Sequence, residues 1–310
     1  MIQPRVLPGI LLMLAFCVLA PLLDTCAKLA TATIPVGQIT AARFLVQGLL
    51  MAPLAAAMGL RLRLPRRLWG LMTLRTLFLI ASSFCFVAAV TVMPIADALA
   101  IVFVEPFILL IMGKLLFANP VGQRRIIASL IGFAGALLVI QPSLSNYGLI
   151  AFFPLGAAFA FAFYMLTTQA IAAHIHPVLQ QFHTALIGTV LCVPVLMLGN
   201  GGSIAHLDPV WPTGLNWLWL FGVGFWAAAS HLCMTVALKF APASTLAPMH
   251  YLEIITAVAL GYLVFDDFPN ALTWAGIAII TASGLYIILR ERQSDRNLAT
   301  QSLAEPDATP

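Results

Sequence analysis

Apolar residues fill almost the whole chain in windows of roughly 20, the length an α-helix needs to cross a hydrocarbon core. The windows are 9–30, 37–58, 70–92, 95–117, 125–141, 147–169, 178–198, 215–238, 244–265 and 270–290. Turn chemistry stands at the breaks: Pro35, Pro94, Asn119-Pro120, Gln141-Pro142, Pro177, Asn200-Gly201-Gly202, Pro242 and Pro269. The pattern predicts an all-α integral membrane protein with ten transmembrane helices, the fifth being the shortest.

Composition agrees with that pattern. The chain is 62% apolar and 8% charged, whereas a soluble domain needs about 25% charged residues to cover its surface. The expected solvent is therefore the lipid bilayer. The net charge of +4 would suggest an anionic partner, but its placement explains it otherwise. With the N-terminus inside, the inner loops and flanks hold Arg5, Arg61, Arg63, Arg66, Arg67, Lys114, Arg124, Arg125, Lys239, Arg290, Arg292 and Arg296. The outer loops hold Asp208, Asp266 and Asp267 and no Lys or Arg. This is the positive-inside asymmetry, and it predicts that both termini are cytoplasmic. Nucleic acid is not an expected partner.

Phe16 stands where a lipoprotein cleavage box needs a small residue, so the first window reads as a retained helix. The five cysteines lie in spans, none in a metal-binding spacing, and read as small buried hydrophobes; neither a metal nor a cofactor is expected. The polar tail, 293–310, is expected to be disordered.

The chain also repeats itself. An offset of 148 aligns Ser82 with Ser230, Cys85 with Cys233, Pro94 with Pro242, Glu105 with Glu253, Gly113 with Gly261 and Phe117 with Phe265. A slightly shorter offset aligns Pro35, Gln38 and Pro53 with Pro177, Gln180 and Pro194. Two halves follow, 8–142 and 145–290, with five helices each. An odd number of crossings sends the second half into the membrane from the opposite side. The halves are then inverted repeats, an arrangement that supports inward-open and outward-open states around a site at their interface.

A charge at mid-bilayer costs at least about 2.5–3.5 kcal/mol unless it finds a partner or a water-filled cavity. Counting helical rise puts Asp24 roughly 22 Å into the first helix from the inside, with Lys28 near the outer interface. Arg43 falls about 9 Å below the outer surface, and Asp97 opens the fourth helix, where its carboxylate suits the positive end of the dipole. These four share the outer half as a neutral structural network, with Lys28 snorkelling, or as a substrate or gating site in which Arg43 meets an anionic group. Glu105 and Glu253 are repeat mates about 14–15 Å from the membrane faces. They are the proton-coupling candidates, or protonated donors that hold a helix bend.

His231 and His250 fall in the inner half, with Tyr251 beside His250, as packing residues or as part of a binding site. Arg75 is close enough to the cytoplasm to snorkel. Trp211, Trp217 and Trp219 mark an outer aromatic belt, and Trp226 is deep enough to line a cavity.

These features together resemble the drug/metabolite transporter superfamily, EamA type. The helix-end phrases Leu115-Leu116-Phe117-Ala118-Asn119-Pro120 and Leu263-Val264-Phe265-Asp266-Asp267 carry the likeness, along with Glu105-Pro106. Asp24, Lys28, Pro35, Gln38 and Arg43, the stretch Pro94–Ala98 and Gln141-Pro142 resemble the branch of S-adenosylmethionine and riboflavin uptake carriers. The family usually ends its fourth and ninth helices on Glu; here those places read Ala118-Asn119 and Asp266-Asp267.

The resemblance implies a secondary carrier for a small organic metabolite working by alternating access. A vitamin- or nucleoside-like compound such as riboflavin is the leading substrate, and an exporter of an amino acid or drug is the alternative. The protein is expected to act as a monomer or homodimer. An intramembrane enzyme lacks support, because the chain has no H-E-x-x-H or G-x-S-x-G. A channel would need a filter or charge ring that the sequence does not show.

Overall fold

The computed structural model describes residues 6–117, 123–140, 148–199, 201, 205–266 and separate positions between 271 and 286. Arg5, Asn119-Pro120, Gln141-Pro142, Asp267, Pro269, the arginines after residue 286 and the 293–310 tail lie outside them. Among the described residues there is helix and no strand.

The first half contains α1 (Val6–Ala30), α2 (Val36–Ala57), α3 (Trp69–Val90), α4 (Ile95–Val102), α5 (Glu105–Phe117) and α6 (Gln123–Ile140). The second contains α7 (Phe152–Ala172), α8 (Pro177–Gly199), α9 (Asn216–Phe240), α10 (Ala243–Leu246) and α11 (Glu253–Phe265). Among the described residues, seven helical stretches are long and apolar enough to cross a membrane, and Ile126–Gly135 and Trp274–Ser283 are shorter apolar helices. The windows 95–117 and 244–265 were expected to be continuous helices. Each is broken.

Prolines set these boundaries. Pro35, Pro94 and Pro242 each sit just before a helix in the extended conformation, at φ −62°, −56° and −66°. The ring fixes φ near that value and lacks an N–H that the first helical turn would leave unpaired. Within the fourth helix of each half a second proline interrupts the ladder. Pro106, in the first turn of α5, cannot donate to the end of α4; Pro248 lies in the 3-10 stretch Ala247–Leu252 that separates α10 from α11. The two helices that follow are the same length, 13 residues, and each starts on its glutamate, Glu105 or Glu253.

Packing is reciprocal between the halves: α1 lies against α9, α3 against α7, and α2 against α8. The first helix of each half thus meets the third of the other, and the second meets the second. Close approach of α2 to α9 depends on Gly224, where a Cβ would fall 2.3 Å from Cβ of Val46. Small residues let helix backbones approach in this way.

Burial is inverted relative to a soluble protein. Leu115, Leu198 and Leu263 are 70%, 86% and 75% exposed on the outside, where lipid tails would solvate them. Gln47, Arg75, Gln180, Gln181 and Thr184 are fully buried. Their polar groups hydrogen-bond to each other because the hydrocarbon offers no partner.

Candidate functional site

The seam between the halves contains a cavity with about 690 Å³ of empty space, its open mouth included. Its wall includes Phe16 and Asp24 from α1, Arg43 from α2, Ser82 and Ser83 from α3, and Glu105 from α5. The second half adds Phe161 from α7, His231 from α9, and His250 and Glu253 at the α10–α11 break. Three pairs at the offset of 148 lie in the wall: Ser83 and His231, Val102 and His250, and Glu105 and Glu253.

Arg43 is central. Its guanidinium donates to Ser83 Oγ and, through Nη2, to His231 Nε2 at 2.5 Å. An arginine can only donate, so His231 Nε2 must accept and its proton sits on Nδ1. That proton reaches Tyr164 Oη at 3.1 Å. Tyr164 Oη also accepts from Arg75 Nη2 at 2.9 Å, and the Arg75 guanidinium covers the Tyr164 ring at 4.6 Å. Arg75 Nε donates to Thr168 Oγ1 at 2.8 Å, and Nη1 donates to Thr184 Oγ1. A continuous chain of polar contacts therefore runs Ser83–Arg43–His231–Tyr164–Arg75. Asp24 shares the wall with Arg43.

At the other end, His250 Nδ1 donates to Glu105 Oε2 at 2.8 Å. Phe16 stacks on His250 with ring centres 5.4 Å apart, and Phe161 lies 5.9 Å from both His250 and His231. The wall thus combines a cationic, hydroxyl-bearing group around Arg43 with an acid–imidazole pair, and the flat rings of Phe16 and Phe161 lie within 6 Å of both histidines.

Of the candidates from the sequence, Asp24, Arg43, Glu105, His231, His250 and Glu253 line the cavity. Lys28, Asp97, Trp226 and Tyr251 are not among the described residues that do. Lys28 places Nζ 4.5 Å from the centre of the Phe265 ring, at the end of α11. Trp226, expected to line a cavity, is half-buried with its ring against Phe225. Tyr251 packs edge-on to Phe103 at 5.4 Å.

Two expectations need correction. The outer group at Arg43 and the inner group at His231 are one cluster, because a long arginine side chain crosses the depth that rise-counting assigned to separate layers. Arg75, expected to snorkel, is fully buried and turned into the protein. Phe16, Ser83, Phe161 and Tyr164 were not foreseen, since nothing in their spacing separates them from packing residues.

The EamA-like transporter family matches residues 7–141 and again residues 148–290. The chain belongs to that family. It is a multi-pass membrane transporter, and its two matched segments correspond to the two halves of the fold. The riboflavin transporter of Vibrio cholerae is 26% identical over 274 residues, covering 86% of this chain and 88% of that protein. The S-adenosylmethionine uptake transporter of Rickettsia prowazekii is 22% identical over 223 residues, 71% of this chain and 72% of its own. A solved crystal structure shares the fold with a TM-score of 0.75 at 18% identity, covering 92% of this chain and 98% of that one.

Proposed function

We propose that the chain is a secondary carrier that moves riboflavin, or a closely similar ring-bearing vitamin, across the bacterial inner membrane by alternating access. The observation that carries this reading is the seam cavity, walled by repeat mates from both halves and lined by an arginine, buried carboxyl groups and the flat rings of Phe16 and Phe161. In this reading the halves 8–142 and 145–290 are inverted repeats of five crossings each, ten in all, with both termini in the cytoplasm. The reciprocal packing of α1 on α9, α3 on α7 and α2 on α8 supports a two-fold relation between them. Rocking one half on the other would open the same cavity to each side in turn.

The flat ring would lie against Phe16 and Phe161, and the hydroxylated chain would reach Arg43, Ser83 and Asp24. Glu105 and Glu253 are the residues placed to couple a proton to this movement. The three carboxylates of the wall, set against one arginine, favour a second reading in which a cationic nucleoside derivative such as S-adenosylmethionine is carried.

The test is uptake of labelled riboflavin and labelled S-adenosylmethionine by a riboflavin-requiring bacterium expressing the chain. Saturable riboflavin uptake and growth on low riboflavin support the first reading. Uptake of S-adenosylmethionine alone supports the second.

A further inference from the structure

The cavity occupies one end of the bundle. Its wall takes residues from Phe16 onward in α1, from Leu79 onward in α3 and up to Phe161 in α7. Among the described residues, it takes nothing from the first turns of α1 and α3 or the last turns of α7. There, instead, α1 and α7 meet α9 and the α10–α11 break in an apolar core cluster. Met13, Met165, Met234 and Met249, one from each of these elements, are fully buried within it.

The repeat relates the wall to the cluster. The offset of 142 that takes Pro35 to Pro177 also takes Ala30, the last residue of α1, to Ala172, the last residue of α7. It pairs Leu23 with Met165, and the offset of 148 pairs Phe86 with Met234 and Leu99 with Ala247. Leu23, Phe86 and Leu99 all line the cavity. Met165, Met234 and Ala247 are all buried in the cluster at the other end. The first repeat's copies border empty space, and the second repeat's copies are packed solid. Two inverted repeats in different conformations can exchange them, which carries the barrier to the opposite end. Methionine suits a barrier that must part and re-form. Its unbranched side chain repacks readily, and its apolar filling keeps water and ions out while it is closed.

We infer that Met165, Met234 and Ala247, backed by Met13 and Met249, are the closed gate of the carrier in this conformation, that Leu23, Phe86 and Leu99 form the gate of the opposite conformation, and that the two open in alternation. The inference rests on the alternating-access reading above. With the termini cytoplasmic, the methionine gate seals the cytoplasmic side and the cavity opens outward.

The experiment introduces Phe86→Cys and Met234→Cys, singly and together, and follows their reaction with a membrane-impermeant maleimide in sealed vesicles of either orientation. Labelling of the parent, whose five cysteines are free, is the baseline. Phe86→Cys is expected to react from the outer face. Met234→Cys is expected to react from the cytoplasmic face alone and at least about tenfold more slowly, as a minor state populated at about 10% or less requires. In the double variant, prior modification of position 86 with a bulky maleimide is expected to stop labelling at position 234. Equal rates at the two positions, or labelling at 234 that persists once 86 is blocked, overturns the inference. Leu23→Cys with Met165→Cys makes the same comparison where the first pair does not fold. Uptake of labelled riboflavin by vesicles of the parent separates the two readings. The expected labelling without uptake sinks riboflavin as the substrate and leaves the gates standing. Uptake with no labelling at position 234 overturns the gates and leaves the transport reading standing, and the absence of both overturns both.

Discussion

Arg43 Nη2 donates to His231 Nε2 across 2.5 Å, and the same guanidinium donates to Ser83, the residue that stands 148 positions before His231. One arginine thus holds corresponding positions of α3 and α9, the third helix of each half. The contact has a consequence for protonation. His231 can accept from Arg43 only while Nε2 is unprotonated, so this imidazole is held neutral.

Arg43→Lys is expected to fail as a conservative change. A planar guanidinium serves Ser83 and His231 from two nitrogens, and an ammonium cannot reproduce that fork. Uptake affinity should fall by roughly tenfold or more, the cost of losing a charge-assisted hydrogen bond in a dry site. Concentration-dependent uptake measures it, and parent-like affinity in Arg43→Lys would show that the fork is unnecessary.

Tyr164→Phe removes the hydroxyl that accepts from both Arg75 and His231. Leaving those two donors unpaired in a fully buried place should cost about 1–3 kcal/mol each, before relaxation. Thermal unfolding of the purified protein in detergent should show a lowered midpoint. An unchanged midpoint would mean that the polar chain from Arg75 to Arg43 adds nothing to stability.

Gly224→Ala tests how the site is assembled. The added Cβ would fall 2.3 Å from Cβ of Val46 and 3.2 Å from the Arg43 carbonyl oxygen, forcing α2 away from α9. Both transport and stability should fall. Gly70→Ala, on α3 with nothing within 4 Å of its new Cβ, should leave both near the parent values or raise stability by up to about 1 kcal/mol through helix propensity. Equal effects of the two substitutions would remove the close α2–α9 approach from the account.

Glu253→Gln addresses coupling. Accumulation by the parent should drop when the transmembrane pH gradient is collapsed, and accumulation by the variant should be the same with and without the gradient. A parent that ignores the gradient is a facilitator, and the proton role of Glu253 then falls.

Much of the fold was legible because lipid imposes a simple code. Runs of about 20 apolar residues and proline punctuation located helix ends such as Pro35 and Pro242 to within a residue or two. Collinear matches revealed the duplication before any coordinates did. The broken fourth helices were less legible, because the two halves use differently placed prolines, Pro106 and Pro248, for the same interruption. In the site, rise-counting found charges that needed partners but not which partners they had. It separated Arg43 from His231 and sent Arg75 to the surface. Side-chain reach and helix rotation decide those contacts, and neither is written in a one-dimensional depth. Phe16 and Phe161 were invisible among 20 phenylalanines for the same reason.

The central claim is that this chain carries its substrate through the seam cavity, and counterflow tests it most directly. Liposomes containing the purified protein are loaded with unlabelled riboflavin and diluted into a trace of labelled riboflavin. The account predicts transient accumulation of label above its equilibrium level, and no such overshoot with Arg43→Ala reconstituted to the same density. Equilibration without overshoot in the parent, or an overshoot untouched by Arg43→Ala, would contradict it.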